Sequence, residues 1–362
     1  MTDRTGSALL NRLRFETANG INPMTFRNIV EREGLKIQSY IEEHCAKTLA
    51  ENRVIIDDGG QLRSEIGFKF EKGEHIAEEE IQAAANRLGI ESFDVHDYEV
   101  PEESVNISVD GIYVKRQTNC RPRSKEEEEQ FTRVSNTVVH IKKGGEHFVL
   151  NSGTNSLAFE QTASFLVQNG LLEKHLVFQV DGARDINNII YNMFGKLNFK
   201  IILDWYHLEK KCREQLSMAL KGKIIRNEFL DKLRPALWFG MVDEAINLLQ
   251  TIEPEKVKNQ SILKKLGEYF DRVRDHIPCY ALRKELGLRN SSNSVEKAND
   301  IVVAMRQKGK GMSWSDNGSL AFATVSAAKH NGQLENWANS RTMSFSLGVS
   351  AAASGTAAVA AA

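Results

Sequence analysis

The pattern of apolar and polar positions divides the chain into a helical front, a strand-rich middle and a helical rear. In the front part, residues 24–53 and 78–93 place apolar side chains at helical spacing, with one interruption at Gly34. Two helices about a short glycine-containing break fit a DNA-binding helix-turn-helix, and they fit a plain helical hairpin equally well. The spacing therefore predicts a mostly helical N-terminal region over residues 1–100, with DNA binding as one of its two interpretations.

Near Val105 the pattern changes abruptly to β-branched segments that tend to alternate. VNISVDGIYVKRQ, NTVVHIKKGG and EHFVLNSG are separated by polar or glycine-containing breaks, and Gly144–Gly145 is most simply a hairpin turn. These segments predict three consecutive strands in an antiparallel meander.

A parallel pair of strands is predicted after the meander. A helical stretch over residues 156–170 leads into HLVFQVDGA, and a second helical stretch around residues 186–194 leads into FKIILDWYH. Strand, helix and strand in this order form a βαβ unit with parallel strands. The full order β-β-β-α-β-α-β matches the ribonuclease-H-like architecture, an α/β fold with a mixed sheet and flanking helices.

The rear of the chain is predicted to be helical. Within the segment 290–315, one helix is predicted. It begins at cap-forming Asn and Ser residues and stops at the Gly309–Gly311 pair. The apolar side chains of this helix suggest that it packs on the sheet; they are Val295, Ile301, Val302 and Met305. The predicted organisation is a helical N-terminal region (1–100), a first core part (101–207), a helical insertion (208–286), a last core part (287–345) and a low-complexity tail (346–362).

Composition and charge narrow the class of protein. The chain has 362 residues, 41% hydrophobic and 26% charged, with a net charge of -1. No apolar run approaches the roughly 20 residues of a membrane span, and no secretion signal is evident, so we expect a cytoplasmic protein without membrane contact. Residues 71–104 carry eleven acidic and two basic residues, whereas residues 184–234 carry eleven basic and six acidic ones. An acidic front and a basic rear fit a phosphate-binding surface in the second half.

Two Asp-Gly pairs stand in matching contexts. Asp110 and Asp181 each end an apolar run and are followed directly by glycine. One such pair alone is usually a turn, but carboxylates at the ends of neighbouring strands converge on the crevice where open α/β sheets bind ligands. Like charges so close need a cation between them, and hard oxygen ligands suit Mg²⁺ or Mn²⁺.

A third acid, Glu296, lies in the first turns of the helix predicted after residue 290. A glutamate there also favours the helix dipole, which is its simplest explanation. If the helix packs on the sheet, however, Glu296 reaches the edge that carries Asp110 and Asp181. Three carboxylates could hold two metal ions about 3.5–4 Å apart, as in-line phosphoryl displacement requires.

Other side chains are candidates for supporting roles. In DWYH, Asp204 either caps the following helix or replaces Asp181 as the second metal ligand, and His207 is either a surface residue or a phosphate contact. The candidate DNA-binding residues come from two basic segments, in which Trp314 either stacks on a base or is buried in the protein. They are Lys115, Arg116, Arg306, Lys308, Lys310 and Trp314.

The motifs in their order resemble those of DDE transposases of bacterial insertion sequences, of the Mutator-like and ISKra–ISLre types. The resemblance rests on DGA at 181–183, LDWYH at 203–207 and SNSVEKANDIVVAMRQKGKGMSWS from residue 292, and it covers about residues 105–330. It implies a ribonuclease-H-like catalytic domain with a helical insertion before the last acid. The two aspartates of the family then fall on Asp110 and Asp181, its glutamate on Glu296, and its (C/D)xxH element on Asp204 and His207.

The resemblance also implies an activity. Such enzymes bind the terminal inverted repeats of their element and use Mg²⁺ for DNA cleavage and strand transfer, so we expect DNA as the partner, two Mg²⁺ or Mn²⁺ ions, a homo-oligomer on DNA and a place on a prokaryotic nucleoid. Two alternatives stay open: a nuclease that cuts without joining, and a DNA-binding or scaffold protein without catalysis. The last predicts that the three carboxylates do not converge.

Overall fold

The computed structural model describes residues 22–69, 74–117 and 132–347. The predicted tail begins at residue 346, and its residues 348–362 lie outside the described residues. The first 21 residues of the predicted N-terminal region also lie outside them. None of the helices in these ranges combines the length and apolar composition that a membrane span needs.

A mixed five-stranded sheet forms the centre of the molecule. Its strand order is β5-β4-β3-β6-β7, with β3, β4 and β5 antiparallel and β6 and β7 parallel to β3. The predicted meander and parallel pair are therefore confirmed. A separate antiparallel hairpin, β1–β2, was not predicted in the N-terminal region. The strands are β1 (Val54–Ile56), β2 (Leu62–Ser64), β3 (Val105–Lys115), β4 (Arg133–Lys143), β5 (Glu146–Ser152), β6 (Leu176–Val180) and β7 (Phe199–Leu203).

Helices cover both faces of this sheet. Short 3₁₀ turns lie at Val95–Asp97, Pro254–Lys256 and Arg274–His276, and a π-helical turn lies at Asp300–Ala304. The α-helices are α1 (Pro23–Glu51), α2 (Glu78–Leu88), α3 (Asn155–Gln168), α4 (Arg184–Phe194), α5 (Trp205–Ala219), α6 (Lys223–Trp238), α7 (Val242–Gln250), α8 (Gln260–Arg272), α9 (Tyr280–Glu285), α10 (Asn293–Asn299), α11 (Met305–Gln307), α12 (Asp316–His330) and α13 (Leu334–Ser340).

The alternation of side chains along the strands divides the core into layers. One sheet face packs against α1, α3 and α4 through side chains such as Ile107 and Phe178. The opposite face packs against α10, the π turn and α12 around Val138 and Trp314. The helices α5 to α8, with Tyr280 of α9, form a third apolar cluster, which joins the sheet at Ile202 and Leu203. In this insertion the described residues form helices and one isolated bridge but no strand, as predicted.

The predicted break at Gly34 is wrong, because α1 runs through it without interruption. Gly34 instead allows α1 and α12 to cross closely, because a Cβ at this position would lie 2.3 Å from the backbone oxygen of Ala321 in α12. Ile37 and Ile41 of α1 are buried in the same cluster as the sheet. The first long helix is thus part of the core, and residues 24–53 do not form a helix-turn-helix.

Gly34→Ala tests this crossing. We expect the variant to lose about 1–3 kcal/mol of unfolding free energy, because α1 and α12 must move apart to admit the methyl group. Gly145→Ala is the matched control, since a Cβ at Gly145 meets nothing within 4 Å. Denaturant unfolding of both variants checks the prediction, and equal stability of the two would contradict it.

Candidate functional site

Asp110 lies on β3, and Asp181 directly follows β6, the neighbouring parallel strand. The register of β3 and β6 pairs Ser108 with Gln179, and each aspartate follows two residues later. Continuing this register places the two aspartates side by side. The prediction that Asp110 ends its strand is wrong, because β4 pairs with β3 as far as Lys115. Asp110 instead lies where β6 has ended, so one edge of β3 is open beside it.

The loop after β6 holds Asp181 in a tight turn. The carboxylate Oδ1 of Asp181 accepts the backbone N–H of Ala183 at 2.8 Å. Gly182 has φ +82°, and a Cβ there would lie 2.9 Å from Leu203 Cδ1 and 3.0 Å from the hydroxyl of Tyr269. Only glycine adopts this conformation without strain and fits this space. The turn therefore fixes the acid where the parallel strands end.

Asp110 lies in an unbalanced negative environment. Burial raises the pKa of its carboxyl group, and the charges of Asp181 and Glu296 raise it further, while His207 acts in the opposite direction. The amide Nδ2 of Asn299 donates a hydrogen bond to Oδ2 of Asp110 at 2.6 Å. A partly buried carboxylate beside two others favours a proton or a cation nearby.

Glu296 enters the site from α10, which lies across β3 and β4. Val295 and Val302 are fully buried against the sheet, as predicted, and Glu296 lines the same cleft as Asp110. The expectation that Met305 packs on the sheet is wrong, since its side chain is 57% exposed. The side chain of Met305 faces solvent because the pitch of the helix changes before this residue.

This change of pitch is a π-helical turn at Asp300–Ala304, between α10 and α11. The predicted single helix is therefore interrupted, and it ends at Gln307, before Gly309. A π turn adds one residue to a helical turn, and such turns are frequent at functional sites. Here the π turn follows Asn299 directly, next to the amide that contacts Asp110.

Asp204 is a buried structural carboxylate. Its side chain is completely buried, and its Oδ1 accepts the backbone N–H of His207 at 2.9 Å at the start of α5. Its Oδ2 accepts both the backbone N–H and the hydroxyl of Ser292, at 2.5 and 2.9 Å. Burial alone would raise the pKa of Asp204, but these hydrogen bonds outweigh it and lower the pKa. With both oxygens occupied, Asp204 caps α5 and is a poorer candidate than Asp181 for a metal ligand.

The orientation and the pKa of the His207 ring depend on the carboxylate of Asp204. Its Nδ1 lies 3.1 Å from Oδ1 of Asp204, and this hydrogen bond raises the pKa of His207. Burial lowers that pKa, whereas the charges of Asp204, Asp181 and Asp110 add to the rise. Asp204 therefore favours the protonated form of an imidazole that lies beside the two candidate metal ligands.

Asp204→Asn is expected to lower the pKa of His207 and to cost about 1.5–3 kcal/mol of unfolding free energy, the range for hydrogen bonds to charged groups. Because the folded pKa of His207 is raised, its stabilising effect is full below the unfolded pKa and is lost as pH rises through the folded one. An NMR titration of the His207 ring checks this, with exposed Asp231→Asn as the control. An unchanged His207 pKa in Asp204→Asn would contradict the assignment.

An open cleft of about 1110 Å³ extends from Asp110 and Glu296 along the second half of β3. Tyr113 and Tyr206, each 54% exposed, lie on its walls and present aromatic faces. The sequence interpretation missed both tyrosines, although Tyr206 stands within DWYH next to His207. The basic side chains that line the cleft are Lys115, Arg133, Lys210 and Lys308.

Two of the six predicted DNA-binding residues, Lys115 and Lys308, line this cleft. Lys310 is exposed to solvent and follows Lys308 by two residues. Trp314 is completely buried, and its indole N–H donates to the carbonyl of Gln307 at 3.0 Å. Base stacking by Trp314 is therefore a wrong prediction. The residue instead fills the core beneath α12.

The two predicted arginines make contacts within the protein. A guanidinium nitrogen of Arg116 lies 2.6 Å from a carboxylate oxygen of Asp316, at the start of α12. Arg306 donates from Nη1 to the carbonyl of Ile301 at 3.2 Å, across the π turn. Both side chains thus take part in holding the structure around the cleft.

The three carboxylates are not drawn together around one point. In residues 22–69, 74–117 and 132–347, no group of three or more His, Cys, Asp or Glu side chains is placed to hold a metal ion. The donor chemistry nevertheless suits Mg²⁺ or Mn²⁺, since all three candidate ligands are carboxylates. Burial, followed by the charges of Asp181 and Glu296, raises the pKa of Asp110, so its charged form is disfavoured here.

Comparison with known proteins gives one match. No curated protein and no solved structure matches the chain. A family model described as "Uncharacterised protein family (UPF0236)" matches residues 97–342, which include β3 to β7, the helical insertion and all the site residues described above. The match covers more than half of the chain, and the chain therefore belongs to the UPF0236 family.

Proposed function

We propose that this protein is a transposase of the DDE type, which cleaves DNA and joins it to a target with the help of divalent metal ions. One observation carries the proposal: Asp110 and Asp181 follow paired positions on neighbouring parallel strands, and Glu296 lines the same cleft as Asp110. The acids recur in the order and contexts of the transposase motifs that the sequence resembles.

The sheet supports a ribonuclease-H-like fold as part of this proposal. In that architecture a three-stranded antiparallel meander is extended by two parallel strands, and the present strand order is β5-β4-β3-β6-β7. The helical insertion between β7 and α10 separates the second aspartate from the glutamate. Fold alone does not carry function, so the assignment rests on the acids.

In the proposed reaction, Asp110, Asp181 and Glu296 would hold the metal. Bound Mg²⁺ or Mn²⁺ supplies Lewis-acid stabilisation of charge at the phosphate and a water with a lowered pKa. Because the side chains are not gathered around one point, we propose that the side chain of Glu296 turns toward Asp110 and Asp181 when DNA and metal bind. Asn299 orients Asp110 through its hydrogen bond.

The cleft fits a DNA strand. Lys115 and Lys308 supply positive charge for phosphates, while Tyr113 and Tyr206 offer exposed rings on which bases can stack. His207, held by Asp204, adds beside the acids an imidazole whose pKa is raised, which favours its protonated form. We further propose that the bound DNA is the terminal repeats of a mobile element. The protein would then act as an oligomer that holds two element ends together, and it would be located on the nucleoid.

A second candidate is a DNA-binding protein without catalysis. It is favoured by the absence, within the described residues, of any three metal-binding side chains gathered at one point. This candidate predicts DNA binding that does not change with divalent metal. A nuclease that cuts without joining differs from a transposase only in its products.

A strand-transfer assay with Mn²⁺ separates these functions. Wild type, Asp181→Ala and the control Asp58→Ala, an exposed aspartate on the β1–β2 loop, are incubated with a plasmid carrying the DNA that flanks the gene on both sides. We expect joined products from wild type and Asp58→Ala and none from Asp181→Ala. Cut but unjoined DNA would indicate the nuclease, and equal product from all three proteins would remove Asp181 from the mechanism.

A further inference from the structure

A second polar cavity, of about 380 Å³, lies near the start of β3, away from the carboxylate cleft. Asn106 of β3 pairs with Lys142 of β4 at this end of the sheet, four residues before Asp110. Lys142 and Arg289, the latter in the segment between α9 and α10, both line the cavity. The cavity thus brings together two cations from distant parts of the chain.

These two cations lack an acidic partner. Within the described residues, neither Lys142 nor Arg289 forms an ion pair or a side-chain hydrogen bond, although both are partly buried. Burial lowers the pKa of Lys142, and the charge of Arg289 lowers it further. Burial also lowers the pKa of Arg289. Two partly buried like charges cost stability unless an anion lies between them.

Among the residues that the structure describes, no acidic side chain supplies that anion. Glu99 lines the cavity, but its carboxylate is held by Arg283 at 2.7 and 2.9 Å. Glu102 is exposed on the rim. His140 is also buried here, and burial, followed by His147 and then Arg289, lowers its pKa to about 3.

We propose that Lys142 and Arg289 form a binding site for a phosphate group, separate from the carboxylate cleft. The planar guanidinium can bind two phosphate oxygens and the ammonium a third. The volume suits a single phosphate or a small phosphorylated group. The phosphate can come from a DNA backbone or from a free phosphorylated molecule, and the site does not depend on the catalytic role of the acids.

The test uses the full chain, with the double variant Lys142→Gln/Arg289→Gln and the control Lys284→Gln, an exposed lysine on α9. Inorganic phosphate and pyrophosphate are titrated in a chloride buffer, and the melting temperature and the heat of binding are measured. A 30-base-pair duplex is titrated by fluorescence anisotropy at several salt concentrations. Melting without ligand verifies that the double variant is folded.

If the phosphate belongs to DNA, we expect the double variant to bind the duplex about tenfold more weakly for each lost contact. The slope of log binding constant against log salt concentration should become shallower by about two. If the ligand is a free phosphorylated molecule, pyrophosphate raises the melting temperature of wild type and control but not of the double variant, and duplex binding is unchanged. The proposal is overturned if wild type, control and double variant respond alike to phosphate, pyrophosphate and duplex.

Discussion

Replacing Asp110 by asparagine is expected to reduce metal-dependent DNA cleavage by about a thousandfold or more, because a catalytic metal contributes several kcal/mol of charge stabilisation. The same change is expected to raise the melting temperature of the metal-free protein. Asparagine keeps an oxygen that can accept the hydrogen bond from Asn299, and it removes a charge that burial and the neighbouring Asp181 disfavour. Loss of activity with gain of stability is typical of a functional site.

The pH dependence follows from the raised pKa of Asp110. A carboxyl whose pKa is higher in the folded than in the unfolded state destabilises the protein above the folded pKa. That cost disappears as pH falls through the folded pKa to the unfolded one. The stability difference between wild type and Asp110→Asn should therefore be present at neutral pH and shrink on acidification.

The matched control is Asp300→Asn, an exposed aspartate on the rim of the same cleft. We expect Asp300→Asn to leave both cleavage and melting temperature close to wild type. Plasmid cleavage in Mn²⁺ and thermal melting in a metal chelator measure the two effects. Wild-type cleavage by Asp110→Asn, or a clear fall in its melting temperature, would contradict the role given to Asp110.

Arg283→Met is expected to destabilise the protein by about 3–5 kcal/mol, because it leaves the buried carboxylate of Glu99 without a partner. The side chains of Arg283 and Glu99 are 0% and 2% exposed, and two hydrogen bonds of 2.7 and 2.9 Å join them. Arg283 also donates to the carbonyls of Asp97 and Arg289. One side chain thus ties the helical insertion to the segments before β3 and α10.

Two further variants separate charge from packing. The double variant Arg283→Met/Glu99→Leu removes both charges, and we expect it to recover much of the lost stability. The exposed pair of Arg87 and Glu285, at 2.8 Å, is the control, and Arg87→Met should cost less than about 1 kcal/mol. Denaturant unfolding measures all three variants. Equal effects of Arg283→Met and Arg87→Met would contradict the importance of the buried pair.

The sheet was predictable from sequence because its strands carry local signals. β-branched runs bounded by glycine gave the antiparallel strands, and two apolar runs separated by a helical stretch gave the parallel pair. The matching Asp-Gly contexts at Asp110 and Asp181 pointed to neighbouring strands, which the register of β3 and β6 confirms. These features depend on residues close together in the chain.

The features that were missed depend on distant partners. Gly34 looks like a helix break, but its small size is required by Ala321 in α12. Asp204 had two interpretations from sequence, helix cap or metal ligand, and its bonds to Ser292, 88 residues away, favour the cap. Trp314 stands in a basic segment and is nevertheless core, because its backbone pairs with the end of β3, where its N–H donates to the carbonyl of Lys115 at 2.9 Å. Local sequence carries no signal for any of these long-range contacts.

The metal site itself is tested most directly by a crystal structure of the protein soaked in Mn²⁺, with anomalous diffraction locating the ion. The proposed function predicts an anomalous peak bound by the carboxylates of Asp110 and Asp181, with Glu296 joining when DNA is present. Mn–oxygen distances should be near 2.2 Å, between those of Mg²⁺ and Ca²⁺. A structure with DNA and Mn²⁺ that shows no peak there, with the three carboxylates more than about 10 Å apart, would contradict a shared metal site.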